Sequence, residues 1–200
     1  MLFAPIPAAL TLRAESDGSR IITGAFPYGA TATLSDGGRN GGRPRKERFK
    51  PGAFSYRVDK PDEEIHLLFG HDFDKPLASK LAKTLSLKDT PAALTFEATI
   101  TPEIAAISYV ADVLALIMSG LAVGLSPGFR IPPQRTVPDA ETVEDEDPSL
   151  GDAIIRTINA ALLYELSIVT RPAYLESEVE ARSWKQPAKP GMRPIRGLWL

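Results

Sequence analysis

The 200-residue chain contains no cysteine and only two histidines, and both scarcities limit the chemistry open to it. Without cysteine it cannot form disulfides, thiolate metal sites or a cysteine nucleophile. The sequence also lacks an HExxH pattern and a GxxxxGK[ST] loop that would cradle nucleotide phosphates. Any hydroxyl nucleophile that needs an imidazole base must therefore use His66 or His71.

An excess of positive charge and a membrane-length apolar run are missing as well. The formal net charge is -2, which gives no overall attraction to nucleic acid or to an anionic membrane. Residues 1–10 are apolar but have no basic residue before them, and Pro5 and Pro7 interrupt them, so they make a poor signal peptide. The apolar stretch 104–125 contains Asp112, serines and glycines, so it is not predicted to span a membrane. We therefore expect a soluble intracellular protein that needs no membrane.

Alternating and β-branched segments occupy most of the chain and predict a mainly β fold. The predicted strands, seven or eight in number, include the segments 19–30, 64–70, 80–87, 93–100, 121–126, 153–160 and 162–170. One helix is predicted, capped by Thr101, begun by Pro102 and closed by Gly120. This pattern favours a closed or nearly closed β-barrel with peripheral helices, and an α+β sheet is the alternative.

Two charged segments and one proline-rich segment stand out from the rest. Residues 36–50 are glycine-rich and basic, and residues 139–152 contain seven acids and no base, so both are predicted to be surface loops. No aromatic platform accompanies the basic segment, so nucleic acid is not a required partner. The proline-rich residues 185–200 are predicted to form a flexible tail, and residues 1–184 are predicted to form one domain.

Ser126 lies between Gly124 and Gly128, where a serine can be a nucleophile or part of a simple turn. In α/β-hydrolases the Gly-x-Ser-x-Gly pattern joins a strand to a helix. Here Pro132 and Pro133 prevent a helix from following, so Ser126 is predicted on or beside a strand. A hydrolase of small esters is accordingly disfavoured.

His71 is the better placed of the two histidines. It follows the predicted buried strand that contains His66, and the end of a strand is where a base can reach substrate and exchange protons. The alternative is a loop histidine bonded to Asp72. His66 is interpreted as structural, and His71, Asp72 and Asp74 give only weak support for a metal, so neither metal nor cofactor is predicted.

Glu165 interrupts an otherwise apolar predicted strand. A buried carboxylate is costly unless it has a partner, so Glu165 is a candidate to orient a catalytic imidazole. The alternative is an outward-facing residue, because alternation places Glu165 on the face opposite Leu166. Spacing alone leaves both interpretations open.

Five segments, taken in order, resemble the prohead (procapsid maturation) serine protease family of tailed bacteriophages. They are RFKPGAFSYRV, EIHLLFGHDFDKPLASK, LSLKDTPAALTFEATI, GLAVGLSPGFRI and LLYELSIVTRPAY. The resemblance spans roughly residues 20–182. Its most specific elements are the PGAF box, the HD pair followed by Pro-Leu, the GLSxGF box and the ELSIVTRPAY box.

The resemblance implies a β-barrel of the herpesvirus-protease type and a serine endopeptidase of procapsid maturation. By motif match the nucleophile is Ser126, the general base is His71 and the third member is Glu165. The implied substrates are scaffold and major capsid proteins, cut inside the assembling procapsid in the host cytoplasm. A portal protein is a further candidate partner, and self-cleavage of the tail and homo-oligomerisation stay open.

The chain departs from the family at Pro127, where a small aliphatic residue is usual. Proline has no N–H, so donors to an oxyanion would have to come from elsewhere, with residues 128–130 as candidates. This departure motivates the alternative of a catalytically silent structural or scaffold-like capsid assembly protein. The presence of Ser126, His71 and Glu165 together favours the protease.

Overall fold

A computed structural model describes residues 10–38, 41–122 and 124–170 of the chain. The strands in these ranges are β1 (Thr11–Ala14), β2 (Arg20–Pro27), β3 (Ala32–Ser35), β4 (Arg45–Phe49), β5 (His66–Phe69), β6 (Asp72–Ser79), β7 (Leu85–Asp89), β8 (Ala93–Ile100), β9 (Gly124–Arg130), β10 (Glu141–Asp145), β11 (Ile154–Ile158) and β12 (Leu162–Val169). The α-helices are α1 (Ser55–Val58), α2 (Pro102–Ala105) and α3 (Ser108–Met118).

The strands form three four-stranded sheets. Sheet 1 has the order β1-β2-β8-β7, sheet 2 the order β10-β11-β4-β3, and sheet 3 the order β6-β5-β12-β9. The pairs β11–β4 and β12–β5 are parallel, and the other pairs are antiparallel. The prediction of a mainly β fold with few helices is confirmed. The closed barrel is not found in the described ranges, because each sheet ends in strands that pair on one side only.

An aromatic cluster joins the three sheets around one hydrophobic core. Phe26 of β2, Phe49 of β4 and Phe129 of β9 belong to different sheets, with ring centroids 5.3 Å apart for Phe26–Phe49 and 5.1 Å apart for Phe49–Phe129. Phe54, which caps α1 and is fully buried, packs against all three rings. Such ring pairs each contribute about 0.5–1.5 kcal/mol beyond the area they bury. The PGAF box therefore supplies the central anchor of the core.

The helix predicted from Pro102 to Gly120 is divided into two. Thr101 accepts a hydrogen bond from the backbone N–H of Ile104 at 3.5 Å, so the predicted cap is present. Ile107 then adopts an extended ψ of 131°. Its carbonyl accepts the first N–H groups of α3, so it acts as the cap of a second helix. Gly120, with φ 69°, follows the end of α3 as predicted.

The two segments predicted to be charged loops, 36–50 and 139–152, each contain a strand. β4 lies in the first and β10 in the second, and both flank β11 in sheet 2. The ion pairs that join the two segments, with their N–O distances, are Arg43–Asp145 (2.6 Å), Lys46–Glu146 (2.5 Å) and Arg48–Glu144 (2.5 Å). The basic excess of one segment thus balances the acidic excess of the other, a tertiary effect that neither segment reveals alone.

Arg156, at the centre of sheet 2, is buried between two carboxylates. Its Nη1 lies 2.8 Å from Glu47 Oε2, and its Nε lies 2.6 Å from Glu141 Oε2. Arg156 is 3% exposed and Glu47 is 1% exposed. A charge this deep is tolerated only while its partners are in place, because water does not compensate for an ion pair that is broken in a medium of low polarity.

Replacing Arg156 with alanine should lower the free energy of unfolding by about 3–5 kcal/mol, because it removes the buried guanidinium that pairs with Glu47 and Glu141. The control is Arg13→Ala, which removes an exposed ion pair with Glu15 and should cost about 1 kcal/mol or less. Urea unfolding of both variants measures the difference. Equal losses would show that burial in sheet 2 does not govern these pairs.

The prediction of one domain over residues 1–184 stays a prediction, and the tail predicted at 185–200 lies outside the described residues. Among the described residues, no helix is long and apolar enough to cross a membrane.

Candidate active site

One face of sheet 3 carries Ser126, Gly128, Glu165 and Ser167. The register of the antiparallel pair β9–β12 sets Ser167 opposite Ser126 and Glu165 opposite Gly128. Residues directly opposite each other in a ladder share a face of the sheet. The alternate positions of β12, such as Leu166, enter the hydrophobic core on the other face. Strand alternation therefore separates a polar face from the core in one short stretch of sequence.

His71 approaches this face from the hairpin that joins β5 to β6. Phe69 pairs with Asp72, which leaves Gly70 and His71 as a two-residue turn. Both residues have positive φ, 65° for Gly70 and 62° for His71, as a type I′ hairpin turn requires. Glycine adopts this conformation freely, whereas histidine does so at some cost. The backbone N–H of Gly70 donates to the carbonyl of Ile168 at 3.1 Å, which fixes the turn to β12.

The imidazole of His71 contacts the carboxylate of Glu165. His71 Nδ1 lies 2.7 Å from Glu165 Oε1, and Glu165 is only 3% exposed. With a carboxylate as acceptor, Nδ1 carries the hydrogen, so the lone pair of the neutral ring is on Nε2. Nε2 is buried and has no hydrogen-bond partner among the described residues. The ring is thus held by one nitrogen and has an unused basic nitrogen on the other side.

Two alternatives left open by the sequence are wrong. The His71 ring does not bond Asp72, because its Nδ1 contacts Glu165 and its Nε2 has no partner among the described residues. Asp72 pairs instead with Lys75 at 2.9 Å. The hydrogen bond from Lys75 lowers the pKa of Asp72 below its ordinary value and keeps this exposed carboxylate charged. Glu165 does lie on the face opposite Leu166, but that face is buried at this point and does not open to solvent.

Ser126 lies next to the His71–Glu165 pair without being bonded to it. Ser126 is 5% exposed, and its hydroxyl makes no hydrogen bond within the described ranges. It faces Ser167 across the β9–β12 ladder. In hydrolases the hydrogen bond from nucleophile to base is often long without substrate and shortens in the complex. The structure therefore brings His71 and Glu165 into contact and places Ser126 on the neighbouring strand.

Ser167 is a site residue that the sequence reasoning missed. Its hydroxyl donates to Glu165 Oε2 at 2.7 Å and accepts the backbone N–H of His71 at 2.8 Å. The available signal was its spacing, because a residue two positions after Glu165 in a strand shares its face. A second polar residue on the buried side of an apolar strand is itself a candidate hydrogen-bond partner for the first.

His66 takes no part in this network, although it pairs in register with Glu165. Its Nε2 lies 3.9 Å from Glu64 Oε2, and its ring packs edge-on against Phe73 with centroids 6.1 Å apart. Within the described part of the chain, no group of three or more histidine, aspartate or glutamate side chains is placed to hold a metal ion.

Gly128 gives Glu165 the space it occupies. A Cβ built at Gly128 would lie 1.9 Å from Glu165 Oε1, far inside contact distance. The β12 strand is irregular between Leu163 and Glu165, where the register with β9 shifts. The glycine after Ser126 in the Gly-x-Ser-x-Gly pattern therefore serves the carboxylate across the ladder, and no tight turn is involved.

Replacing Gly128 with alanine should displace the Glu165 carboxylate and break its bond to His71. We expect the imidazole Nδ1–H proton resonance to shift or to disappear through faster exchange. The matched control is Gly29→Ala, which introduces backbone strain of about 1–2 kcal/mol at φ 77° but contacts nothing within 4 Å. Proton NMR of both variants is the measurement, and an unchanged resonance in Gly128→Ala would contradict this geometry.

Comparison with known proteins identifies the family of the chain. The family model for caudovirus prohead serine proteases matches residues 10–190. No curated protein and no solved structure matches the chain. The matched range is most of the chain and includes Ser126, His71 and Glu165. The chain therefore belongs to the caudovirus prohead serine protease family, whose members are proteases of procapsid maturation.

Proposed function

We propose that this prohead protease uses Ser126 as its nucleophile, His71 as its general base and Glu165 as the residue that orients the base. The observation that carries the proposal is the 2.7 Å contact between His71 Nδ1 and Glu165 Oε1, combined with the unpartnered Nε2 on the other side of the ring. A serine, an imidazole and a carboxylate that act in this order can cleave acyl bonds on unrelated folds. Family membership identifies the acyl bond as a peptide bond.

The proposed reaction starts with attack of Ser126 Oγ on the scissile carbonyl carbon. His71 Nε2 takes the hydroxyl proton, and Glu165 stabilises the imidazolium through the hydrogen bond at Nδ1. The imidazolium then gives the proton to the leaving amine, which breaks the C–N bond and leaves an ester on Ser126. A water molecule, activated by the same Nε2, hydrolyses the ester and restores the serine.

The oxyanion of the tetrahedral intermediate needs backbone donors, and Pro127 cannot be one of them because it has no N–H. Residues 128–130 stay the predicted source. Each donor of this kind contributes about 3–4 kcal/mol to transition-state stabilisation. Pro127 also favours extended geometry for Ser126, in agreement with its place in β9.

The proposed substrates are the scaffold and major capsid proteins of the assembling procapsid in the host cytoplasm, with portal protein as a further candidate. These follow from family membership, since prohead proteases act on the proteins of the shell. We also propose that the three sheets are walls of a barrel of the herpesvirus-protease type. The aromatic cluster, which brings β2, β4 and β9 around one core, supports this arrangement.

A second candidate is a catalytically silent capsid assembly protein, and Pro127 is the observation that favours it. A silent protein has no need of a buried carboxylate, whereas Glu165 is buried, bonded to His71 and given room by Gly128. Burying and orienting a charge is costly, so these contacts favour the active enzyme.

Co-expression of the chain with the major capsid protein of the same phage tests the proposal. The wild type should produce defined truncations in intact-mass analysis, and Ser126→Ala should eliminate them, because loss of a triad nucleophile lowers kcat about 10⁶-fold. The matched control is Ser119→Ala, which removes a hydroxyl bonded only to carbonyls at the end of α3. Truncations that persist in Ser126→Ala would refute the assignment of the nucleophile. Identical full-length masses in the wild type and in Ser126→Ala would favour the silent assembly protein.

A further inference from the structure

We propose that Ser167 is a positioning residue of this protease, one that holds Glu165 and His71 in the arrangement that base catalysis requires. The proposal rests on the proposed roles of those two residues. Ser167 is fully buried, and the sequence motifs gave its hydroxyl no role in the reaction.

The Ser167 hydroxyl uses both of its hydrogen-bonding capacities. Its hydrogen is donated to Glu165 Oε2 at 2.7 Å, and its oxygen accepts the backbone N–H of His71 at 2.8 Å. The bond from His71 Nδ1 to Glu165 Oε1, 2.7 Å long, completes a closed ring of three hydrogen bonds. The ring passes from the His71 backbone through Ser167 and Glu165 back to the His71 side chain.

This ring fixes the Glu165 carboxylate in both position and rotation. Each oxygen has a separate donor, Ser167 for Oε2 and His71 for Oε1. On the β9 side the absent Cβ of Gly128 leaves space for Oε1 and for the two side-chain carbons next to the carboxylate. Without the bond from Ser167, the carboxylate can rotate about its terminal bond, which is a soft torsion, and its direction toward Nδ1 is no longer fixed.

The same hydroxyl also fixes the backbone of His71. The residue has a φ of 62°, a conformation that costs free energy for a residue with a Cβ. Two bonds to β12 hold the turn, one from Gly70 N–H to the carbonyl of Ile168 and one from His71 N–H to Ser167 Oγ. Removing the second leaves the His71 N–H without this acceptor and allows the turn to relax.

The expected kinetic consequence is specific to chemistry. Ser167 is fully buried, so it does not contact a bound peptide, and its loss should leave substrate binding intact. A base displaced by about 1 Å lowers the rate of the chemical step by about a hundredfold. We therefore expect kcat to fall and KM to stay within about threefold of the wild-type value.

The experiment compares Ser167→Ala with the wild type in the full-length protease, using a capsid-protein peptide as substrate and proton NMR of the His71 ring. We expect kcat to fall about ten- to hundredfold and the Nδ1–H resonance to shift or broaden. The matched control is Ser19→Ala, which removes the same kind of bond, from a serine hydroxyl to a carboxylate two residues earlier, in the connection between β1 and β2 of sheet 1. The control should change neither readout.

An isosteric pair keeps the test valid if Ser167→Ala fails to fold. Ser167→Thr retains the hydroxyl and Ser167→Val has the same shape without it, so any difference between them reports the hydroxyl alone. We expect Ser167→Thr to keep most of the activity and the ring resonance, and Ser167→Val to lose both. Equal behaviour of the pair, or wild-type kcat in Ser167→Ala, would overturn the proposal.

The outcome for Ser126→Ala separates the two proposals. If that variant is inactive while Ser167→Ala has wild-type kcat and an unchanged resonance, the triad stands and the role of Ser167 is refuted. If Ser126→Ala keeps its activity, the proposed nucleophile is wrong. The NMR comparison of Ser167→Thr with Ser167→Val then still decides whether the hydroxyl holds the imidazole.

Discussion

The contact between His71 and Glu165 is the interaction on which the geometry of the site depends. A carboxylate that is 3% exposed is stable only with a partner, and the nearest donor in contact with Oε1 is the imidazole at 2.7 Å. The left-handed turn at Gly70 and His71 brings the ring to this face, and the absent side chain of Gly128 leaves room for the carboxylate. The buried carboxylate, the left-handed turn and the missing side chain of Gly128 thus all contribute to one hydrogen bond.

Sheet 3 connects this polar face to a rigid support. Leu166 and Ile168 of β12, which alternate with Glu165 and Ser167, lie in the hydrophobic core, and Phe129 of β9 joins the aromatic cluster that unites the three sheets. A shift of β9 against β12 by one residue would bring core side chains onto the site and polar side chains into the core. The same hydrophobic packing that stabilises the fold therefore fixes the register of Ser126 against Ser167.

Alternation in apolar strands was enough to predict the strands that carry Ser126 and Glu165 and the strand that ends just before His71, because core packing imposes that pattern locally. Ser167 was missed because its role depends on contact with the β5–β6 turn, which is distant from it in sequence. The strands within 36–50 and 139–152 were missed because charge dominates both segments, and only their pairing with β11 in sheet 2, with ion pairs between the two segments, allows them to be strands. The sheet orders, and with them the absence of a closed ladder in the described ranges, follow from tertiary contacts that periodicity does not encode.

The central claim is that Ser126 is activated by His71, and a serine-directed phosphonofluoridate tests it most directly. Such a reagent forms a covalent bond only with a hydroxyl that a nearby base activates. The account predicts a single adduct per chain, located on the peptide that contains Ser126, and no adduct in His71→Ala. An adduct on another serine, or equal labelling of Ser126 in the wild type and in His71→Ala, would contradict it.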